Sequence, residues 1–130
     1  MRYPYIAALA RESGTEQVYF CAGTLIEPRW ILTAAHCFYG RDGAQIPLPG
    51  LSALVGSDWL SSAPKEAQVA IDRIVVHPDY DPGRQDNDIA LVRLAEIAGP
   101  LTAEVSTDRL NDPRNATVVG FGSYFEGELA

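Results

Sequence analysis

At 130 residues, with 47% hydrophobic content, the chain has the size of one ordinary domain and the apolar material for one modest core. A formal charge of −7, from 17 acidic against 10 basic residues, leaves no basic stripe to neutralise phosphates, which excludes nucleic acid as a partner. No run of 18 apolar residues exists, so no helix of the chain is expected to span a membrane, and the scattered acids read as a solvated surface.

Taken in order, residues 1–12 (Tyr3-Pro4-Tyr5-Ile6-Ala7-Ala8-Leu9-Ala10) read as an extended entry into a strand, with Pro4 confined to its beginning. Ser13-Gly14-Thr15 is a turn. Val18 to Ile26 is rich in β-formers, and Glu27-Pro28-Arg29 turns it into a second run, Trp30 to Ala34, which predicts a β-hairpin. Phe38 to Gly50 carries Gly43, Pro47, Pro49 and Gly50 in its second half, as an irregular surface loop does. Leu51 to Gly56 is a short strand, Ser57 to Lys65 a loop, and Gln68 to Val76 a strand that ends at His77-Pro78. After the polar turn Asp79 to Arg84, the segment Asp88 to Leu94 is a further strand. Its Ile89, Ala90, Leu91 and Val92 imply burial on both faces. From Gly99-Pro100 to Arg114 polarity rises as in a linker, and Ala116 to Gly122 starts another strand. Many short strands separated by turn signals, without a convincing amphipathic helix, predict an antiparallel all-β barrel or sandwich.

Three stretches carry a more specific signal: Cys21-Ala22-Gly23-Thr24-Leu25-Ile26, Trp30-Ile31-Leu32-Thr33-Ala34-Ala35-His36-Cys37, and Asp86-Asn87-Asp88-Ile89-Ala90-Leu91-Val92-Arg93-Leu94. Together they resemble the trypsin-like (chymotrypsin-fold) serine endopeptidases. The resemblance runs from Tyr3-Pro4-Tyr5 to Gly120-Phe121-Gly122 and corresponds to the first half of that family. It implies a six-stranded antiparallel β-barrel over residues 1–98, an inter-barrel linker over 99–115, and the first strand of a second barrel over 116–130.

The family's template assigns roles to two residues here. His36 corresponds to the general acid/base, which takes the serine proton and returns it to the leaving amine. Asp88 corresponds to the carboxylate that fixes the imidazole tautomer and stabilises the imidazolium. Neighbouring Asp86 reads as a surface turn acid, and His77, in Val76-His77-Pro78-Asp79-Tyr80, as structural. Taken alone, Cys21 and Cys37 could be free thiols, metal ligands or a bonded pair. No C-x2-4-C or H-x3-5-H spacing supports zinc, and the resemblance implies a disulfide between them, worth about 3 kcal/mol on a chain-entropy model. A disulfide in turn implies an oxidising, extracellular compartment. No cofactor or metal is implied.

The nucleophile has no candidate of comparable quality. The sequence contains no Gly-Asp-Ser-Gly-Gly and no G-x-S-x-G elbow. Ser57, in Val55-Gly56-Ser57-Asp58, resembles a first-barrel strand end, and Ser123 follows the strand expected to open the second barrel. Met1 to Tyr5 has no signal-peptide h-region, and nothing matches the family's Ile-Val-Gly-Gly opening, so both ends are expected to extend beyond this sequence. Asn115-Ala116-Thr117 is an N-glycosylation sequon. The expected function is peptide-bond hydrolysis at the family level, with a protein or peptide substrate and a second barrel as partner. The 130 residues alone are expected to be inactive. A non-catalytic binding module on a half-fold and one chain of a two-chain enzyme are the alternatives.

Overall fold

The computed structural model describes residues 4–56, 68–98 and 102–105. Six antiparallel strands form a closed barrel: β1 (Ile6–Ser13), β2 (Glu16–Glu27), β3 (Trp30–Thr33), β4 (Leu51–Val55), β5 (Val69–Val76) and β6 (Ala90–Leu94). Around the wall the order is β1-β2-β3-β6-β5-β4, and β4 pairs back onto β1. The predicted all-β fold and the β2–β3 hairpin are therefore present.

Closure follows from where the strands bend. Register shifts at Leu9/Ala10, Leu25/Glu27 and Ile71/Arg73 insert extra residues that curl the ribbon, as barrel walls require. The interior is filled by alternating small and large side chains: Ala7 and Leu9 from β1, Leu25 from β2, Ile31 from β3, Ala53 from β4, and Ala90, Val92 and Leu94 from β6. At Gly23 the wall is tighter than any side chain allows. A Cβ built there would lie 2.6 Å from Ile31 Cγ2 and 2.9 Å from the Leu32 carbonyl oxygen, so β2 and β3 approach each other only because this residue has none.

One feature departs from the expectations. β6 is not buried on both faces. Ala90, Val92 and Leu94 are buried, Leu91 and Arg93 are half-buried, and Ile89 is 41% exposed. Outward-facing Leu91, with Ile89 just before the strand, lies beside Leu32 and Val75, in an apolar groove of about 290 Å3 on the outside of the barrel. A half-covered strand of a barrel alternates like any antiparallel strand; apolar residues on its outer side disguised that period.

After β3 the chain makes a four-residue 3-10 turn, Ala35–Phe38, in a stretch to which the sequence assigned no element. Residues three apart share a face in this geometry, so Ala35 and Phe38 both enter the core while His36 stays outside. Phe38 is fully buried and meets the ring of Phe20 edge-on at 6.1 Å. It plugs one end of the barrel. From Phe38 onward the expected loop is largely on the surface, tied by Ile46 N–H donating to the Phe38 carbonyl at 2.8 Å.

Beyond β6, Ala98 N–H donates to Pro28 O at 3.0 Å and Ala103 N–H to Leu25 O at 2.9 Å, so the chain runs back along β2. Ser57, the rest of the Ser57–Lys65 loop, Asn115, the strand expected over 116–122 and Ser123 lie outside the described residues.

Candidate active site

His36 and Asp88 are 52 positions apart in the chain, yet topology makes them neighbours. β3 pairs with β6 so that Thr33 faces Ala90. His36 lies three residues past the end of β3, and Asp88 two residues before the start of β6. Two chain segments leaving the same barrel edge thus carry a base and an acid to one place.

The contact between them has two parts. His36 Nδ1 lies 2.7 Å from Asp88 Oδ2, and the His36 backbone N–H donates to Asp88 Oδ1, also at 2.7 Å. The Asp88 side chain is 23% exposed and that of His36 49%. Partial burial pushes the Asp88 carboxyl up, but hydrogen bonds from the His36 ring and backbone, the His36 charge and the Ala35 backbone outweigh it. The net pKa is lowered from the usual carboxylate value. An ionised carboxylate can only accept, so Nδ1 carries a proton, and in the neutral form of the ring Nε2 presents its lone pair. Among the described residues nothing hydrogen-bonds Nε2.

The mount beneath His36 is rigid for identifiable reasons. On one side Ala35 is buried; on the other Cys37 is bonded to Cys21 of β2, with Cα atoms 6.1 Å apart. Phe38 follows in the core. Sulfur atoms of both cysteines and a ring nitrogen of His36 lie within 4.8 Å of one another. Because the sulfurs are bonded to each other they are not available as thiolate ligands, so this cluster offers a metal one imidazole at most.

A cleft of about 480 Å3 opens beside His36, walled by Tyr39, Gly40, Tyr80 and Pro82. Tyr39 and Tyr80 lie with ring centroids 5.1 Å apart and tilted by 50°, joining the loop after the 3-10 turn to the loop before Asp88. The Tyr80 phenol is pushed above its ordinary pKa by partial burial and then by the charge of Asp88. These two tyrosines were not singled out from sequence, since only the folded loops bring them together.

Two further groups weighed from sequence, Asp86 and His77, fall outside this cleft. Asp86 is exposed and pairs with Arg84 at 3.4 Å, as a surface turn acid would. His77 Nδ1 accepts a hydrogen bond from the Asp79 N–H at 3.0 Å, which makes it part of a turn.

With this geometry established, comparison with known proteins decides the family. The family model described as Trypsin matches residues 1–129. The chain belongs to the trypsin family. Among curated proteins, this trypsin-family chain is 38% identical to urokinase-type plasminogen activator of Gallus gallus, over 78% of this chain and 24% of that protein. It is 35% identical to coagulation factor XII of Sus scrofa (96% of this chain, 21% of that protein). With trypsin of Phaedon cochleariae the figure is 34% (84% and 43%). The chain spans less than half the length of these curated relatives. Its closed barrel is the first barrel of the trypsin fold.

Proposed function

We propose that this chain is the base-bearing barrel of a serine endopeptidase, with His36 as general acid/base and Asp88 as its orienting partner. The observation that carries the reading is the 2.7 Å contact between His36 Nδ1 and Asp88 Oδ2, beside an open cleft that His36 helps to line. A carboxylate on Nδ1 fixes the tautomer and holds the ring in the orientation that proton transfer needs. The reaction is acyl transfer. Nε2 takes a proton from a serine hydroxyl as that oxygen attacks a peptide carbonyl, and then delivers it to the departing amine. Water repeats the cycle on the acyl-enzyme.

The serine and its oxyanion-binding N–H groups belong to a second barrel, in the same polypeptide or in a separate one. Without them the 130 residues form no acyl-enzyme. Proteins or peptides are the substrates, and the Cys21–Cys37 bond supports an extracellular location. In this reading the described barrel, whose last strand is β6, carries both His36 and Asp88.

The test is hydrolysis of a chromogenic peptide ester by a chain extended with the second half of the family fold. His36→Ala should abolish turnover and Asp88→Asn should reduce it by about four orders of magnitude, while the 130-residue chain alone should give none. Hydrolysis that survives His36→Ala would overturn the assignment.

A further inference from the structure

Asp88 is not itself part of a strand, so something other than the barrel ladder must aim its carboxylate. The residue before it, Asn87, has φ +56, in the left-handed region that most side chains avoid and asparagine tolerates. Its side chain also forms a tie. Asn87 Nδ2 donates to the Asp79 carbonyl at 3.0 Å, across the mouth of the loop that leads into Asp88. On the far side of Asp88, Ile89 N–H donates to the Asn87 carbonyl at 2.8 Å, which closes a three-residue turn with Asp88 at its centre. Finally, His77 N–H donates to the Ile89 carbonyl at 3.0 Å. Asp88 is thus held from both neighbours, and both holds end on the turn spanning residues 77–80.

We infer that Asn87 is a positioning residue, which sets the direction of the Asp88 carboxylate toward His36 by combining a left-handed backbone with an amide tie to Asp79. The twofold contact of Asp88 with His36 makes that direction matter. Both oxygens are in use, each at 2.7 Å, so a rotation of the Asp88 backbone costs one hydrogen bond or the other. Each alternative at position 87 fails differently. Glycine supplies the backbone conformation without the amide. Aspartate tolerates the conformation but sets a negative acceptor against the Asp79 carbonyl. Alanine supplies neither. Gln85, at φ +57, is also left-handed, but its N–H closes onto the Asp81 carbonyl at 2.6 Å within the preceding loop, away from Asp88.

The geometric part of this inference stands on the contacts alone; its kinetic consequence rests on the serine endopeptidase reading. The first test therefore avoids turnover. In NMR of the 130-residue chain, the proton held between His36 Nδ1 and Asp88 should resonate far downfield, and the Asp88 carboxyl carbon should titrate below the usual carboxylate range. In Asn87→Ala and Asn87→Asp the downfield signal should move upfield or broaden, and Asp88 should titrate at higher pH. Asn87→Gly, which keeps the backbone unstrained, should fold and show the same change to a smaller extent. In an extended chain that hydrolyses ester, Asn87→Asp should lower kcat about 100-fold with KM little changed, the scale of an ångström misplacement. A downfield signal and an Asp88 titration unchanged in the folded Asn87→Gly and Asn87→Asp variants, with only a lower melting temperature, would overturn the inference. Failure of the endopeptidase reading would look different, since ester hydrolysis would then be indifferent to His36→Ala.

Discussion

The carboxylate of Asp88 grips His36 twice, through the ring at Nδ1 and through the backbone N–H, each at 2.7 Å. One side chain therefore fixes both where the 3-10 turn lies and how the imidazole is rotated upon it. Stability and the chemistry of the site are coupled through the same two oxygens.

That coupling predicts an acid-sensitive stability. The Asp88 pKa is lowered in the folded protein, so the unfolded chain binds this proton more readily. The contribution should be fully present above the ordinary aspartate value of about 3.9 and disappear as pH falls through the lowered folded value. Urea midpoints measured from pH 7 to pH 2 should show Asp88→Asn less stable than the parent at neutral pH and the two converging at the acid end. Parallel curves across that window would refute the coupling.

The disulfide predicts a different dependence. Cys21 and Cys37 are separated by 16 residues, a loop whose closure is worth about 3 kcal/mol. Because Cys37 adjoins His36, reduction should also loosen the 3-10 turn that carries it. Denaturant titration with and without reductant should show a loss of about 2–5 kcal/mol, accompanied by broadening of the His36 ring signals. An unchanged midpoint would mean that Phe38 and Ala35 hold the turn unaided.

Much of this architecture was legible from residue type and spacing. Gly14 and Pro28-Arg29 mark the turns flanking β2, and the apolar run Trp30 to Ala34 places β3, because local chain chemistry dictates both. The chemical pair was legible only through the family motifs around His36 and Asp88; nothing in their separation of 52 positions brings them together. What stayed hidden depends on tertiary contact. The one-sided burial of β6 was masked by Ile89 and Leu91, which face outward. The 3-10 turn exists because Phe38 needs the barrel interior, and the pairing of Tyr39 with Tyr80 requires two folded loops.

Phe38 should be among the most costly residues to truncate. It is fully buried, caps the barrel and packs edge-on to Phe20. Phe38→Ala should lose about 3–5 kcal/mol through lost burial and the cavity left behind, whereas Phe38→Leu should lose less. If Phe38→Ala cost under about 1 kcal/mol by urea denaturation, the ring would not be the plug that its burial indicates.

Gly23 offers a test in which the sign of the effect is informative. Replacing glycine by alanine at a compatible site stabilises by about 0.4–1 kcal/mol, because the unfolded chain loses freedom. Here the added methyl would lie 2.6 Å from Ile31 Cγ2 and 2.9 Å from the Leu32 carbonyl oxygen. The carbonyl is main chain of β3, and Ile31 is itself buried, so neither can yield without parting the β2–β3 ladder that precedes His36. Gly23→Ala should therefore destabilise by about 1–3 kcal/mol, the usual cost of overpacking. A gain in thermal stability would show that β2 and β3 can separate at that point without cost, and the close approach would no longer explain why a glycine stands there.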